Sequence, residues 1–316
     1  MREALFLKQN RERWDAYEKH PTEDPDELAE RFIQLTDDLA FARTFYPKSK
    51  TVNFLNGLAG KIHLSIYKNK KEKQNRIFSF WKYELPFLMG SYQKPLLYSF
   101  LFFMCFVLIG VLSAHYDDSF VRLILGDGYV DMTNENIEKN DPFGVYKHQE
   151  PLIMFLQIAF NNIFVSFRVF VMGLLWSVGT VYSLFYNGVM LGAFEYYFFS
   201  KGVGFSSILV VFIHGTLEIS AIIIAGAAGL ILGNSILFPG TYTRLQSIMR
   251  GAKDGIKIIL GLLPVFLVAA FFEGFVTRHT GMPLWLSIFI LAGSLAFIIL
   301  YFVIYPIRLR RNVLRG

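Results

Sequence analysis

HGTLEISAIIIAGAAGLILG, residues 214–233, is the stretch that decides what this chain is. It supplies the roughly 20 apolar residues that a helix needs to cross a bilayer core about 30 Å thick. Its first turn nevertheless carries His214 and Glu218, and an ionisable side chain deep in a membrane costs a few kcal/mol on insertion scales. Four residues apart, the two share one helix face. The same face continues through Ala221, Ala225, Gly229 and Gly233, a row of small residues that lets a second helix approach closely. The pattern predicts a membrane-spanning helix whose polar pair and small-residue stripe both face protein rather than lipid.

The rest of the sequence agrees with a membrane setting. The chain has 316 residues, of which 53% are hydrophobic, and a mean hydropathy of +0.40. The apolar residues are concentrated after residue 94. The expected fold class is all-α: a polytopic membrane helix bundle of about six spans over 95–316, with an N-terminal cytoplasmic or interfacial helical domain at 1–94. The spans are expected at 96–114, 163–185, 187–199, 206 through the quoted stretch, 258–275 and 284–304. Residues 153–162 are expected to lie in the interface. Asn187-Gly188, a turn signal, is expected to separate the second and third spans, and 187–199 is the shortest of the six.

Charge sets the expected orientation. Residues 116–150 form a predominantly acidic loop, whereas KNKKEKQNR (68–76) and YPIRLRRNVLRG (305–316) are basic. The positive-inside rule then places both termini in the cytoplasm and the acidic loop outside. The basic run adjoins the aromatic stretch IFSFWKYELPFLMG, which suits an anionic lipid surface better than a nucleic acid. Asp127-Gly128-Tyr129-Val130-Asp131 lacks the ligand spacing of a calcium loop and is expected to be a turn.

In the N-terminal part, Asp24-Pro25-Asp26-Glu27 is a helix start signal. Leu28, Phe32, Leu35, Leu39 and Ala42 follow at helical spacing, and Leu55, Leu58, Ile62 and Ile66 mark a second amphipathic helix. Cys105, the only cysteine, is expected to pack within its span; a disulfide within the chain is excluded.

The polar residues within the apolar runs form the candidate site: His214, Glu218, Arg168, Asn161, Asn162, Asn187 and Glu273. Arg168, the one charge deep in its span, is the expected partner of Glu218. One histidine and one glutamate on a shared face fall short of the three protein ligands of a zinc site. With no HExxH, nucleophile motif, P-loop or dinucleotide fingerprint, the expectation is no catalytic residue, metal or cofactor, and no enzyme.

Several motifs resemble the stage II sporulation protein M family: Asn161-Asn162 ahead of a span, GLLWSVGTVYSLFYNGVMLG (173–192) and HGTLEISAIIIAGAAGL (214–230), with FLKQNRERW (6–14) and LTDDLAFARTFYP (35–47) near the start. Ile213 and Ser220 stand where the family pattern leads one to expect proline. The resemblance implies a membrane scaffold that recruits membrane or envelope proteins at the cell membrane, cell-wall-remodelling enzymes and a second copy of the chain among them. The alternative is a transporter or permease with a polar path past His214, Glu218, Arg168 and Asn187. The expected partners are thus the lipid bilayer and other proteins, with no nucleic acid.

Overall fold

The computed structural model describes residues 3–22, 24–67, 76–147, 150–278 and 282–313. Nearly all of these residues are helical, and the chain divides into two compact units, Met1–Arg76 and Ile77–Gly316. The basic run 68–75 lies outside the described residues.

The first unit contains three helices: α1 (Glu3–Lys19), α2 (Pro25–Phe45) and α3 (Lys50–Tyr67). The side chain of Asp24 accepts from the backbone N–H of Asp26 and starts α2, as its position before Pro25 predicts. Leu35, Ala42, Leu55 and Trp14 are fully buried, and Phe6 is buried beside them. The Trp14 indole donates to Asp38 at 2.7 Å, so the one polar atom of this buried ring is satisfied. The aromatic residues compensate for the small size of this core.

The second unit begins with α4 (Arg76–Ser79), a π-helical turn at Phe80–Glu84 and α5 (Leu85–Ser91). These residues were expected to belong with the soluble portion, but Leu85 and Met89 lie in the bundle core. The Trp81 indole donates to the Gly261 carbonyl at 3.3 Å, and the Tyr301 hydroxyl donates to the Trp81 carbonyl at 2.5 Å. Tryptophan and tyrosine fit a site that is apolar on one side and wet on the other. The long helices follow: α6 (Gln93–Tyr116), then α7 (Asp118–Leu125) and α8 (Asp127–Glu138) in the acidic segment, α9 (Pro151–Val171), α10 (Val178–Ser200), α11 (Gly204–Leu237), α12 (Arg244–Phe271), α13 (Leu284–Ile298) and α14 (Tyr305–Val313).

Among the described residues, five helices are long and apolar enough to cross a membrane: Gln93–Tyr116, Pro151–Leu174, Gly204–Leu237, Arg244–Thr277 and Leu284–Val313. The sixth pass is α10, which is less apolar but 23 residues long. It runs parallel to α6: Gly188 lies against Phe103 and Phe106, Gly192 against Val107 and Val111, and Tyr196 against His115. The chain therefore travels between the two ends of the bundle six times. Its entry and exit share one end, where Gln93 donates to the Phe302 carbonyl at 3.2 Å and Arg310 to the Gly90 carbonyl at 3.1 Å.

Two expected boundaries are corrected. The stretch 153–162 is not a separate interfacial segment; it is the first half of the continuous helix α9. The turn falls not at Asn187-Gly188 but at 175–177, where Trp176 and Ser177 adopt φ of 49° and 67°. Asn187 instead donates to the Ser183 carbonyl at 2.8 Å inside α10. A Cβ on Gly188 would stand 2.8 Å from the Phe106 Cβ, so this glycine serves close helix packing rather than a turn.

The Asp127–Asp131 stretch is likewise not a turn but the start of α8. The break comes one residue earlier, at Gly126 with φ 85°. Arg122 bridges Asp131 at 2.8 Å and Asp127 at 3.0 Å. The two acids, Asp131 first, hold the guanidinium above its ordinary pKa. Cys105 is exposed on the outer face of α6 rather than packed inside. It lies among Leu101, Met104 and Leu108, whose exposure is what lipid would cover.

A candidate polar site inside the bundle

Three helices bring the site together. α9 and α11 run in the same direction, with Asn162 opposite Glu218 and Gly173 opposite Gly229. α12 runs against them and continues into a π-helical segment, Phe272–Thr277, that presents Glu273 and Thr277 to α11. π-helical turns of this kind recur at functional sites.

His214 is the centre of the constellation, 4% exposed. Its Nδ1 lies 3.1 Å from the Thr277 hydroxyl, and its Nε2 lies 3.8 Å from Oε2 of Glu273. Asn162 donates from Nδ2 to Oε1 of Glu218. One ligand atom each from His214, Glu218 and Glu273 lie within 4.8 Å of one another. At the end of the bundle that carries α7 and α8, a cavity of about 360 Å³ opens beside this group. Asp141, Ser206, Ile213, Thr277 and Ser287 line it, so the threonine that touches His214 also forms part of the cavity wall.

Four of the seven expected polar residues thus meet: His214, Glu218, Glu273 and Asn162. The other three stand apart. Arg168 is exposed and is not the partner of Glu218. It follows Asn162 by six positions, about 240° around the helix at 3.6 residues per turn, so both cannot face α11. Asn161, about 100° from Asn162, is exposed for the same reason. Asn187 bonds within its own helix. Thr277 was not anticipated; a threonine near the end of an apolar run carries no signal until the fold sets it against His214.

The small-residue stripe of α11 is buried from end to end. Ala221 and Ala225 are fully enclosed. A Cβ on Gly229 would stand 2.3 Å from Oγ1 of Thr180 and 2.8 Å from the Val169 carbonyl oxygen; one on Gly233 would meet Ser177. The stripe therefore seats the turn between α9 and α10. Thr180 donates to the Val169 carbonyl at 2.9 Å and locks that turn across the two helices.

Comparison with known proteins assigns the two units separately. Residues 4–68 match a family described as a domain of unknown function (DUF8413). Searches of curated proteins and of solved structures returned no match. Residues 99–278, which hold most of α6, all of α7 through α12 and every residue of the polar site, match the family described as stage II sporulation protein M. With more than half of its length matched, the chain belongs to the stage II sporulation protein M family.

Proposed function

We propose that the protein is a scaffold of the cell membrane: the helix bundle holds the three-helix unit at the bilayer, and that unit recruits partner proteins, cell-wall-remodelling enzymes among them. The observation that carries this reading is the division into two compact units, each with its own core and its own family match. The small unit exposes Leu5, Ile33, Phe45 and Leu64, apolar side chains of the kind that partners cover. Lys94, Arg310 and Arg311 gather where the bundle begins and ends, which supports termini on the cytoplasmic side.

The test uses the full-length protein cross-linked in cells and purified in mild detergent. Ile33→Asp and Leu64→Asp should remove specific partners while membrane insertion and yield stay at wild-type level. An unchanged set of partners would refute recruitment through this surface.

One observation favours a second reading, a transporter or permease. Asn162 satisfies one oxygen of Glu218, as a structural contact would. The bundle also sets a second carboxyl group beside it. Two carboxylates this close in an apolar interior do not both ionise without a proton or cation between them.

A further inference from the structure

The same gathering of groups has a more specific chemical consequence. An imidazole and two carboxylates, from two helices of the bundle, converge with their donor atoms within 4.8 Å. A cation about 2.0–2.2 Å from each donor would need donor-to-donor spacings of roughly 3.3 Å. The 3.8 Å between His214 Nε2 and Glu273 Oε2 is already near that value and too long for a hydrogen bond. Side-chain movement of about an ångström closes the rest.

We propose that His214, Glu218 and Glu273 bind one divalent transition-metal cation inside the bundle. Two carboxylates and a dication sum to zero charge, the state an apolar interior tolerates. The imidazole selects a borderline metal such as zinc or iron over calcium or magnesium, which prefer oxygen alone.

The surrounding residues supply the support a metal site requires. In the tautomer that carries its proton on Nδ1, His214 donates to the Thr277 hydroxyl and leaves the Nε2 lone pair free for a cation, the arrangement of a ligating histidine. Asn162 holds one oxygen of Glu218, leaving the other for the cation. The polar cavity bounded by Thr277 provides an entry. The inference does not depend on the recruiting role of the three-helix unit.

The experiment takes the full-length protein, free of any affinity tag, stripped with chelator in detergent. Co²⁺ is the probe, because its visible absorption reports nitrogen and oxygen coordination; Zn²⁺ is the competitor. One Co²⁺ per chain should bind, Zn²⁺ should displace it, and binding should release protons. Glu273→Gln and His214→Gln should weaken binding at least tenfold while eluting as folded protein. Arg168→Gln, outside the cluster, should bind as wild type does. Absence of the absorption band in folded wild-type protein overturns the proposal and leaves the two carboxyl groups sharing a proton. A band of equal strength in Glu273→Gln overturns it as well, since the metal would then sit elsewhere.

Discussion

Gly229→Leu should sharply lower both yield and melting temperature, whereas Ala296→Leu should purify at wild-type yield and melt within a degree or two of it. The difference follows from what each new side chain meets. Gly229 has no room even for a methyl group: its Cβ would stand 2.3 Å from Thr180 Oγ1 and 2.8 Å from a backbone carbonyl. Moving Thr180 aside breaks its bond to the Val169 carbonyl, leaving a buried acceptor unsatisfied at about 1–3 kcal/mol. Overpacking by the branched side chain costs typically another 1–3 kcal/mol. Together these cost about 2–6 kcal/mol, a large share of the roughly 5–15 kcal/mol that stabilises a typical protein. Ala296 is exposed on α13, where a leucine gains lipid contact and displaces nothing. Equal yields and equal melting temperatures would mean that α11 does not pack as described.

Glu218→Leu should be the most damaging single change in the polar site, and Glu218→Gln one of the mildest. Leucine leaves the Asn162 amide facing α11 without its acceptor, at a cost of about 1–3 kcal/mol. Glutamine keeps that acceptor and also removes one of two neighbouring carboxyl groups. Melting in detergent with chelator present should therefore rank Leu well below wild type, with Gln level with wild type or above it. If the protein moves ions or protons, the Gln variant should be folded and inactive, because only the titratable group is gone. A Gln variant as unstable as the Leu variant would contradict the role assigned to Asn162.

The sequence carried the membrane character, the N-terminal helices α2 and α3, and the protein-facing side of α11. Each rests on local periodicity: the small residues 221, 225, 229 and 233 recur at the spacing of one helix face whatever they pack against. Half of the polar site was legible for the same reason, because His214 and Glu218 lie on one turn. Its other half depends on tertiary contact. Glu273 follows Glu218 by 55 positions, and only the antiparallel run of α12 and its π-helical end bring the two together. The Arg168 expectation paired charges without regard to helix rotation, which places Arg168 and Asn162 on different sides of α9. The Asn187-Gly188 expectation applied turn chemistry to a glycine retained for close packing. The true turn, at Trp176 and Ser177, puts two non-glycine residues at positive φ, a conformation no residue preference announces. Gly233 of α11 packs directly against Ser177 there, and Gly229 against Thr180 just beyond it.

The central claim is that Glu218 and Glu273 face each other inside the bundle. A double-mutant cycle of Glu218→Gln and Glu273→Gln tests it most directly, read by unfolding in mixed micelles of denaturing detergent with chelator present. Groups in contact show an interaction energy of about 0.5–3 kcal/mol, whereas distant sites add to within about 0.3–0.5 kcal/mol. The structure predicts coupling in the first range, with the double variant gaining less than the two single changes together because either one already relieves the crowding of two carboxyl groups in one apolar site. Strict additivity would place the two carboxyl groups apart and contradict the account.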